Sequence, residues 1–217
     1  MIELVAFLGN YGEEYKNTRH NTAWLFEDSV RYLSNLSWQN KFKAEFAVED
    51  YKSLVQKMVD LNILKLRSDS SLPVPENCPS KIYFMKPLTY MNLSGQAVIE
   101  ACKFYKIPSE NVLIVHDEIE LALGFLSLKW SGGLGGHNGL RSLKEVFGTP
   151  DFWRLRFGVG KPSNGSVADY VLGRFSQDES ITLSQVFSVA EELFAKVLTS
   201  KDASRLLGEW SKKKVVE

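Results

Sequence analysis

The stretch IELVAFLGNYGEEYKNTRHN, residues 2–21, decides how the chain begins to fold. Its first part, Ile2–Leu8, is a short apolar run that stops at a Gly-Asn pair, which predicts a buried strand ending in a turn. The segment that follows, Thr22–Leu36, repeats apolar residues at intervals of three and four, which predicts a helix. The polar turn between strand and helix contains His20, one of only three histidines in the chain.

Further strands and helices alternate along the chain. We predict strands at Lys81–Lys86, Asn111–His116, Phe125–Trp130 and Trp153–Val159. We predict helices at Ser94–Lys106, Gly139–Phe147 and Glu179–Leu198. The pattern of Ala44–Leu64 is strand-like but ambiguous. This alternation indicates an α/β fold, in which a mixed, mostly parallel twisted sheet is covered by helices.

Length and composition are those of an ordinary globular protein. The chain has 217 residues, of which 44% are hydrophobic and 24% charged, so we expect one domain over residues 1–217. Residues 67–80 contain three of the seven prolines and predict a surface loop insertion. No signal peptide or membrane span is expected, and Cys78 and Cys102 lack metal-type spacing. We therefore expect a cytoplasmic protein.

The charges are unevenly distributed although the formal net charge is zero. Residues 127–174 contain seven Lys or Arg and three acids, whereas residues 109–126 contain four acids and no Lys or Arg. A local basic patch beside an acidic segment fits a site that binds phosphates in one place. A solvated mosaic of charges would give the same composition, and composition alone does not separate the two.

Polar residues stand where the predicted strands end. Asn10, Asn92 and Asn138 follow strands or the glycine-rich run, and His116-Asp117 closes the strand that begins at Asn111. A histidine with a carboxylate partner is a general base near neutral pH, and asparagine amides orient a substrate or stabilise an oxyanion. No G-x-S-x-G motif offers a nucleophile. The set therefore favours an ester or amide hydrolase whose base activates water.

The same residues also fit structural roles or a metal site. A histidine in a turn often caps a helix, and asparagines tolerate left-handed turns. A metal site is a sharper rival, but neither H-x-x-x-H nor H-E-x-x-H spacing occurs. Its ligands would be His20, His116, His137 and Asp117. The run SGGLGGHNG at 131–139 has Asn138 where a third glycine of a dinucleotide-binding loop belongs, which argues against nucleotide binding.

Four motifs together resemble the bacterial-type peptidyl-tRNA hydrolase family. They are LGN-x-G-x-x-Y-x-x-TRHN at Leu8–Asn21, KP-x-T-x-MNLSG at Lys86–Gly95, HDE at His116–Glu118 and GG-x-GGHNGL at Gly132–Leu140, supported by R-x-R-x-G-x-G at Arg154–Gly160. The resemblance implies hydrolysis of the ester that joins a peptide to the 3′ end of tRNA. It also implies a monomeric single α/β domain with no metal and no cofactor.

The resemblance assigns catalytic roles to four residues. It implies that His20 is the base that activates water and that Asp117 orients it. Asn10 and Asn92 are expected to line the cleft and to hold the peptide or the reacting carbonyl.

The resemblance also assigns substrate contacts. Asn138 would contact the peptide or position the water, and Met91 would form part of the apolar wall. Tyr15 would lie near the terminal nucleotide. Lys129 and Arg156 match the family's clamp for a tRNA phosphate, a role that suits Lys and Arg chemically.

Some positions depart from the family pattern. Tyr11 replaces the usual proline after Gly-Asn, Leu134 lies where a polar residue is common, and Ser127 stands where some relatives have a second basic residue. None of these changes touches the expected catalytic set. A non-catalytic RNA-binding relative of the same fold is the alternative, although such a module has no need for a matched His and Asp.

Overall fold

The computed structural model of the chain describes residues 1–162 and 164–216, and its strands form one eight-stranded sheet. The strands are β1 (Leu4–Phe7), β2 (Gln39–Lys41), β3 (Ala44–Asp50), β4 (Lys81–Pro87), β5 (Val112–Glu118), β6 (Phe125–Trp130), β7 (Trp153–Gly158) and β8 (Lys213–Lys214). The helices are α1 (Thr22–Ser29), α2 (Tyr51–Asp60), α3 (Ser94–Tyr105), α4 (Asn138–Phe147), α5 (Val167–Leu172), α6 (Gln177–Thr199) and α7 (Leu207–Trp210). None of the helices in the described residues is both long and apolar enough to cross a membrane.

The strand order is β2-β3-β4-β1-β5-β7-β6-β8. The mixed α/β sheet predicted from the sequence is confirmed, but its balance of directions differs from the expectation of a mostly parallel sheet. Three pairings at the centre are parallel, and the four toward the edges are antiparallel. The link from β5 to β6 is too short for a parallel crossover, so β6 runs opposite to β5. β7 then lies between them.

The core lies on both faces of the sheet, and β1 and β5 are therefore buried throughout. In β1, Val5 and Phe7 point to one face, where α1, α2 and α6 pack. Leu4 and Ala6 point to the other face, where α3 and α4 pack. Successive side chains of a strand point to opposite faces, so a continuous apolar run is the pattern that a strand covered on both sides requires.

The longest helix, α6, starts at a capping box. The side chain of Ser176 accepts a hydrogen bond from the backbone N–H of Glu179, whose carboxylate accepts one from the backbone N–H of Ser176. Toward the other end of the helix, Phe194 is fully buried, and its ring centroid lies 6.0 Å from that of Phe7 and 5.6 Å from that of Phe26. This aromatic contact fixes α6 against the sheet.

The ambiguous segment Ala44–Leu64 contains β3 followed directly by α2. The turn between them is set by Asp50, whose side chain caps the helix by accepting from the backbone N–H of Ser53. Residues 67–80 contain neither helix nor strand, and Leu72 and Val74 of this stretch pack against the core.

Phe194→Ala should lower the free energy of unfolding by about 3–5 kcal/mol, because it leaves a cavity among buried aromatic rings. Ile181→Ala on the same helix is the matched control: that side chain is 53% exposed, and its loss should change stability by less than about 0.5 kcal/mol. Urea unfolding of both variants measures the difference. Equal values for the two would contradict this packing.

Candidate active site

The carboxyl ends of β1, β4 and β5 meet at one edge of the sheet, because these strands are parallel and adjacent. Asn10 follows β1, Asn92 follows β4, and Asp117 lies near the end of β5. A 3₁₀ turn, Arg19–Asn21, brings His20 to the same edge immediately before α1 begins. The strand order therefore gathers residues that lie far apart in the sequence.

The carboxylate of Asp117 is the centre of this edge. Nδ1 of His20 lies 2.9 and 3.0 Å from its two oxygens, and Nε2 of His137 lies 3.1 Å from Oδ1. Burial alone would raise the pKa of Asp117, but the two imidazoles outweigh it and hold that pKa well below its ordinary value. Asp117 is therefore a buried carboxylate that stays ionised.

The tautomer of His137 follows from its other contacts. Nδ1 of His137 accepts hydrogen bonds from the backbone N–H groups of Gly139 (3.1 Å) and Leu140 (3.4 Å), so that nitrogen carries no proton. The proton is on Nε2, which donates to Asp117. This histidine therefore links Asp117 to the start of α4, which it caps.

The same reasoning fixes His20. The ionised Asp117 only accepts, so Nδ1–H of His20 donates to it, and in the neutral form of the ring the lone pair is on Nε2. Burial favours the neutral imidazole, yet the charge and hydrogen bond of Asp117 prevail, and the pKa of His20 is raised above its ordinary value. The ring is thus oriented by a carboxylate on one side, and its neutral form has an unprotonated nitrogen on the other.

His116 differs from the other two histidines because it is completely buried. Its Nδ1 donates to the backbone carbonyl of Asp117 at 2.6 Å. Burial, reinforced by His137, lowers the pKa of His116 well below its ordinary value. His116 is therefore a neutral structural residue beneath the site.

An amide network holds the loop after β1. The side-chain amide of Asn21 bonds both backbone groups of Asn10: Oδ1 accepts from N–H at 2.8 Å and Nδ2 donates to C=O at 3.0 Å. Oδ1 of Asn10 accepts from the backbone N–H of Met91 at 2.8 Å. These bonds orient the amide of Asn10 and leave its NH₂ group as a hydrogen-bond donor.

A cavity of about 240 Å³ adjoins the histidines. His20, Asp117 and Asn138 line its polar side, and Val167 and Val171 of α5 contribute to an apolar wall. The cavity thus combines an imidazole, an amide and apolar surface, the mixture that small-molecule and peptide sites use.

Arg19 ties the turn that holds His20 to this wall. Its guanidinium donates to both oxygens of Glu179 (2.9 and 2.8 Å) and to the backbone carbonyl of Arg174 (2.9 Å). It also lies 4.3 Å from the ring centroid of Tyr170 in α5. Because Arg19 is buried, these contacts fix the distance between α5 and His20.

The other residues expected near the cleft have varied surroundings. Met91 is buried and packs in the core layer of α3 and α4, whereas the neighbouring Asn92 is exposed. Tyr15 is half-buried, and its ring makes an edge contact with Tyr90, with centroids 6.4 Å apart. Tyr11 is 59% exposed and lies beside a separate groove.

A cationic face lies on the ribbon of β6 and β7. Ser127 stands opposite Arg156, and Lys129 stands opposite Arg154, so all four side chains share one face of the sheet. Nη1 of Arg156 lies 3.2 Å from a carboxylate oxygen of Glu118, which also lines the cavity. This ion pair connects the cationic face to the histidine site.

Arg154 is a buried cation without a carboxylate partner in the described residues. Its guanidinium donates to the backbone carbonyls of Gly132, Gly133 and Pro150. Burial, with a further contribution from Arg156, lowers the pKa of Arg154 to about 10. Burial and the two arginines also lower the pKa of Lys129. The face therefore carries excess positive charge, which an anion would relieve.

His20, Asp117 and His137 are also close enough to hold a metal ion, since one ligand atom from each lies within 4.8 Å of the others. Nδ1 of His20 and Nε2 of His137 both already make a hydrogen bond with Oδ1 of Asp117. His116, the fourth ligand of that hypothesis, has its Nδ1 engaged with the backbone. Hydrogen bonding accounts for the arrangement of the three residues without an ion.

Sequence reasoning selected His20, Asp117 and Asn138, which the structure brings to one cavity, and it missed three contributors. These are His137 as a second donor to Asp117, Asn21 as the support of Asn10, and α5 as the wall. Both His137 and Asn21 stand inside the quoted motifs, next to residues that were selected. No motif in the sequence marked α5 as the wall of the cavity.

The arrangement defines a class of site. It has a carboxylate-oriented imidazole with a free nitrogen, amide donors beside it and an apolar wall. In the described part of the chain no Ser or Cys is hydrogen-bonded to a histidine, as an activated nucleophile would be. Such a site suits hydrolysis by water that a histidine activates.

Comparison with known proteins agrees with this class. The model of the family described as peptidyl-tRNA hydrolase matches residues 4–216, so the chain belongs to that family. The peptidyl-tRNA hydrolase of Treponema pallidum (strain Nichols) is 39% identical over 220 residues, covering 99% of this chain and 97% of that protein. The peptidyl-tRNA hydrolase of Oleidesulfovibrio alaskensis is 39% identical over 189 residues, covering 87% of this chain and 86% of that protein.

A solved structure has the same fold. The crystal structure of peptidyl-tRNA hydrolase from Acinetobacter baumannii superposes with a TM-score of 0.76 at 29% identity, covering 97% of this chain and 96% of that one. The resemblance predicted from the four motifs is therefore confirmed.

Asp117→Asn should lower the pKa of His20, because the negative charge that favours the imidazolium is lost while burial remains. NMR titration of the His20 ring protons measures the change. Asp151→Asn, at an exposed carboxylate, is the matched control and should leave the pKa of His20 unchanged. A His20 pKa that stays the same or rises in Asp117→Asn would exclude this electrostatic coupling.

Proposed function

We propose that this protein hydrolyses the ester bond between peptide and tRNA in peptidyl-tRNA, releasing free tRNA and peptide. The observation that carries the proposal is the hydrogen bond between His20 Nδ1 and both oxygens of Asp117, which leaves Nε2 as a base at the cavity. Membership of the family supports the substrate. The alternative of a non-catalytic RNA-binding relative is not favoured, since binding alone has no use for an oriented base.

The reaction follows from these positions. Nε2 of His20 takes a proton from water as the water oxygen attacks the ester carbonyl, and Asp117 stabilises the imidazolium that forms. The C–O bond to the terminal ribose then breaks, and the imidazolium returns the proton to the ribose oxygen. Every atom of the products comes from water and ester, so the reaction balances without a further reactant.

The amides hold the substrate. We assign the free NH₂ group of Asn10, with the nearby Asn92, to the reacting carbonyl, because donors aimed at a developing oxyanion stabilise the transition state. Asn138 lines the cavity beside His137 and would hold the peptide or position the water. Met91 would form part of the apolar wall, and Tyr15 would lie near the terminal nucleotide.

The cationic face would hold tRNA. Lys129 and Arg156 are the proposed phosphate ligands, and the buried Arg154 beside them adds positive charge that the described residues do not neutralise. Phosphate contacts position a nucleic acid without reading its sequence. The Glu118–Arg156 pair would place the bound phosphate at a fixed distance from the cavity.

The family resemblance supports the remaining assignments. We infer that residues 1–217 form one domain that acts as a monomer in the cytoplasm, with residues 67–80 as a surface insertion. The reaction would proceed without metal or cofactor.

Incubation with N-blocked aminoacyl-tRNA tests the function directly. The wild type should release the blocked amino acid, whereas a binding module would bind the tRNA and release nothing. Enzyme dialysed against a chelator should keep its rate in a tRNA folding buffer that contains Mg²⁺ and no other divalent metal. A rate that is lost on dialysis and restored by Zn²⁺ would instead favour the metal site at His20, Asp117 and His137.

His20→Ala should lower kcat by about 10²–10⁴-fold, because it removes the general base. Binding of deacylated tRNA, measured by fluorescence anisotropy, should persist, since no phosphate contact is lost. Near-normal turnover in this variant would show that another group is the base.

Lys129→Ala should raise KM for peptidyl-tRNA with little change in kcat, and the dependence of log KM on log salt should become less steep by roughly 1. Lys129→Arg keeps the charge and should restore most of the affinity. Lys103→Ala, at an exposed lysine of α3, is the control and should behave as wild type. Identical salt dependence in Lys129→Ala and wild type would remove Lys129 from the clamp.

A further inference from the structure

The C-terminal strand β8 lies on the outer edge of β6, beside the cationic face. Lys214 stands opposite Phe125, and Lys213 stands opposite Leu126. Directly opposed residues share a face, and residues two apart in a strand share a face. Lys214 therefore lies on the same face as Ser127, and Lys213 lies on the opposite face.

Side-chain contacts agree with this register. Nζ of Lys212 lies 5.6 Å from the ring centroid of Phe125, on the cationic face. Nζ of Lys213 lies 4.1 Å from the ring centroid of Trp210 and pairs with Glu209, on the other side. Three consecutive lysines are thus divided between the two faces of the sheet.

The segment before β8 contacts Arg156 itself. The backbone carbonyl of Ser211 accepts a hydrogen bond from Oγ of Ser127, and Nη2 of Arg156 lies 3.5 Å from the same oxygen. Nη2 of Arg156 also donates to Oγ of Ser127 at 2.7 Å. The C-terminal segment is therefore built into the surface that carries the proposed phosphate clamp.

Basic side chains lie at three successive levels of the ribbon. The first level contains Lys129 and Arg154, the second Arg156, and the third Lys214 with Lys212 close by. Levels two residues apart are separated by about 7 Å, which matches the spacing of a chain of phosphates better than a single anion. In the described part of the chain neither Lys212 nor Lys214 forms an ion pair, and both are exposed.

We propose that the C-terminal segment extends the tRNA-binding surface, with Lys212 and Lys214 contacting backbone phosphates next to the one assigned to Lys129 and Arg156. This inference rests on the proposed function, because it names a further part of the same substrate. The partner is a polyanionic backbone, which charge complementarity and continuity with the clamp both favour. Such contacts add affinity and position the acceptor end, and they read no sequence.

The double variant Lys212→Ala/Lys214→Ala tests the proposal at equilibrium. Its Kd for deacylated tRNA should rise about three- to tenfold at low salt, and the slope of log Kd against log salt should fall by roughly 1–2. Lys213→Ala is the control for position, because it removes one lysine charge from the same strand on the opposite face. It should leave both Kd and slope at wild-type values.

Turnover provides the second readout. On peptidyl-tRNA the double variant should raise KM and leave kcat unchanged, and Lys212→Arg/Lys214→Arg should restore KM. An N-blocked aminoacyl ester of adenosine lacks the phosphates, so the double variant should hydrolyse it at the wild-type rate. A thermal unfolding midpoint equal to that of the wild type shows that the double variant folds.

Two outcomes would overturn the inference. One is a double variant with wild-type Kd and salt slope, and the other is a Lys213→Ala variant that weakens binding equally. Failure of the proposed function is a separate result: wild-type protein would then bind tRNA without releasing the amino acid, whatever the lysine variants do.

Discussion

The buried carboxylate of Asp117 is the constraint on which the rest of the site depends. A carboxylate removed from water must be surrounded by donors, and here two imidazoles fill that role. That requirement sets the tautomers of His20 and His137 and keeps both rings at the end of β5. His137 at the same time caps α4, so the helix start, the orientation of the base and the burial of the charge are one arrangement.

The second organising feature is that the side chains of β6 and β7 alternate between the two faces of the sheet. Leucines and Phe157 of these strands enter the core, while Ser127, Lys129, Arg154 and Arg156 face the other way. One sheet ribbon thus serves the hydrophobic core and the cationic face together. Glu118 joins this face to the cavity, because it pairs with Arg156 and follows Asp117 directly. The proposed chemistry and the proposed tRNA contact are therefore held in a fixed relation by neighbouring strands.

Long, strongly periodic elements were predictable from sequence, and short or tertiary-dependent ones were not. The strand Phe125–Trp130 was predicted at its observed bounds, and the helix at Glu179–Leu198 within two residues. The helix predicted over Thr22–Leu36 ends early, at Ser29, because the backbone N–H and guanidinium of Arg31 bind the buried Glu191 of α6. That contact joins residues 160 positions apart, so no local pattern encodes it. The two-residue β8 and six-residue α5 are too short for periodicity to reveal.

By itself the sequence determined the α/β class, the family and the residues that lie at the carboxyl ends of the central strands. The α/β class follows from hydrophobic periodicity, and the family follows from the resemblance of the four motifs, both of which can be read along the chain. Only the tertiary structure decided the antiparallel edges, the sharing of Asp117 between two histidines and the division of three adjacent lysines between two faces. Each of these depends on strand order and register, which arise when distant segments pack and compete for the same partners.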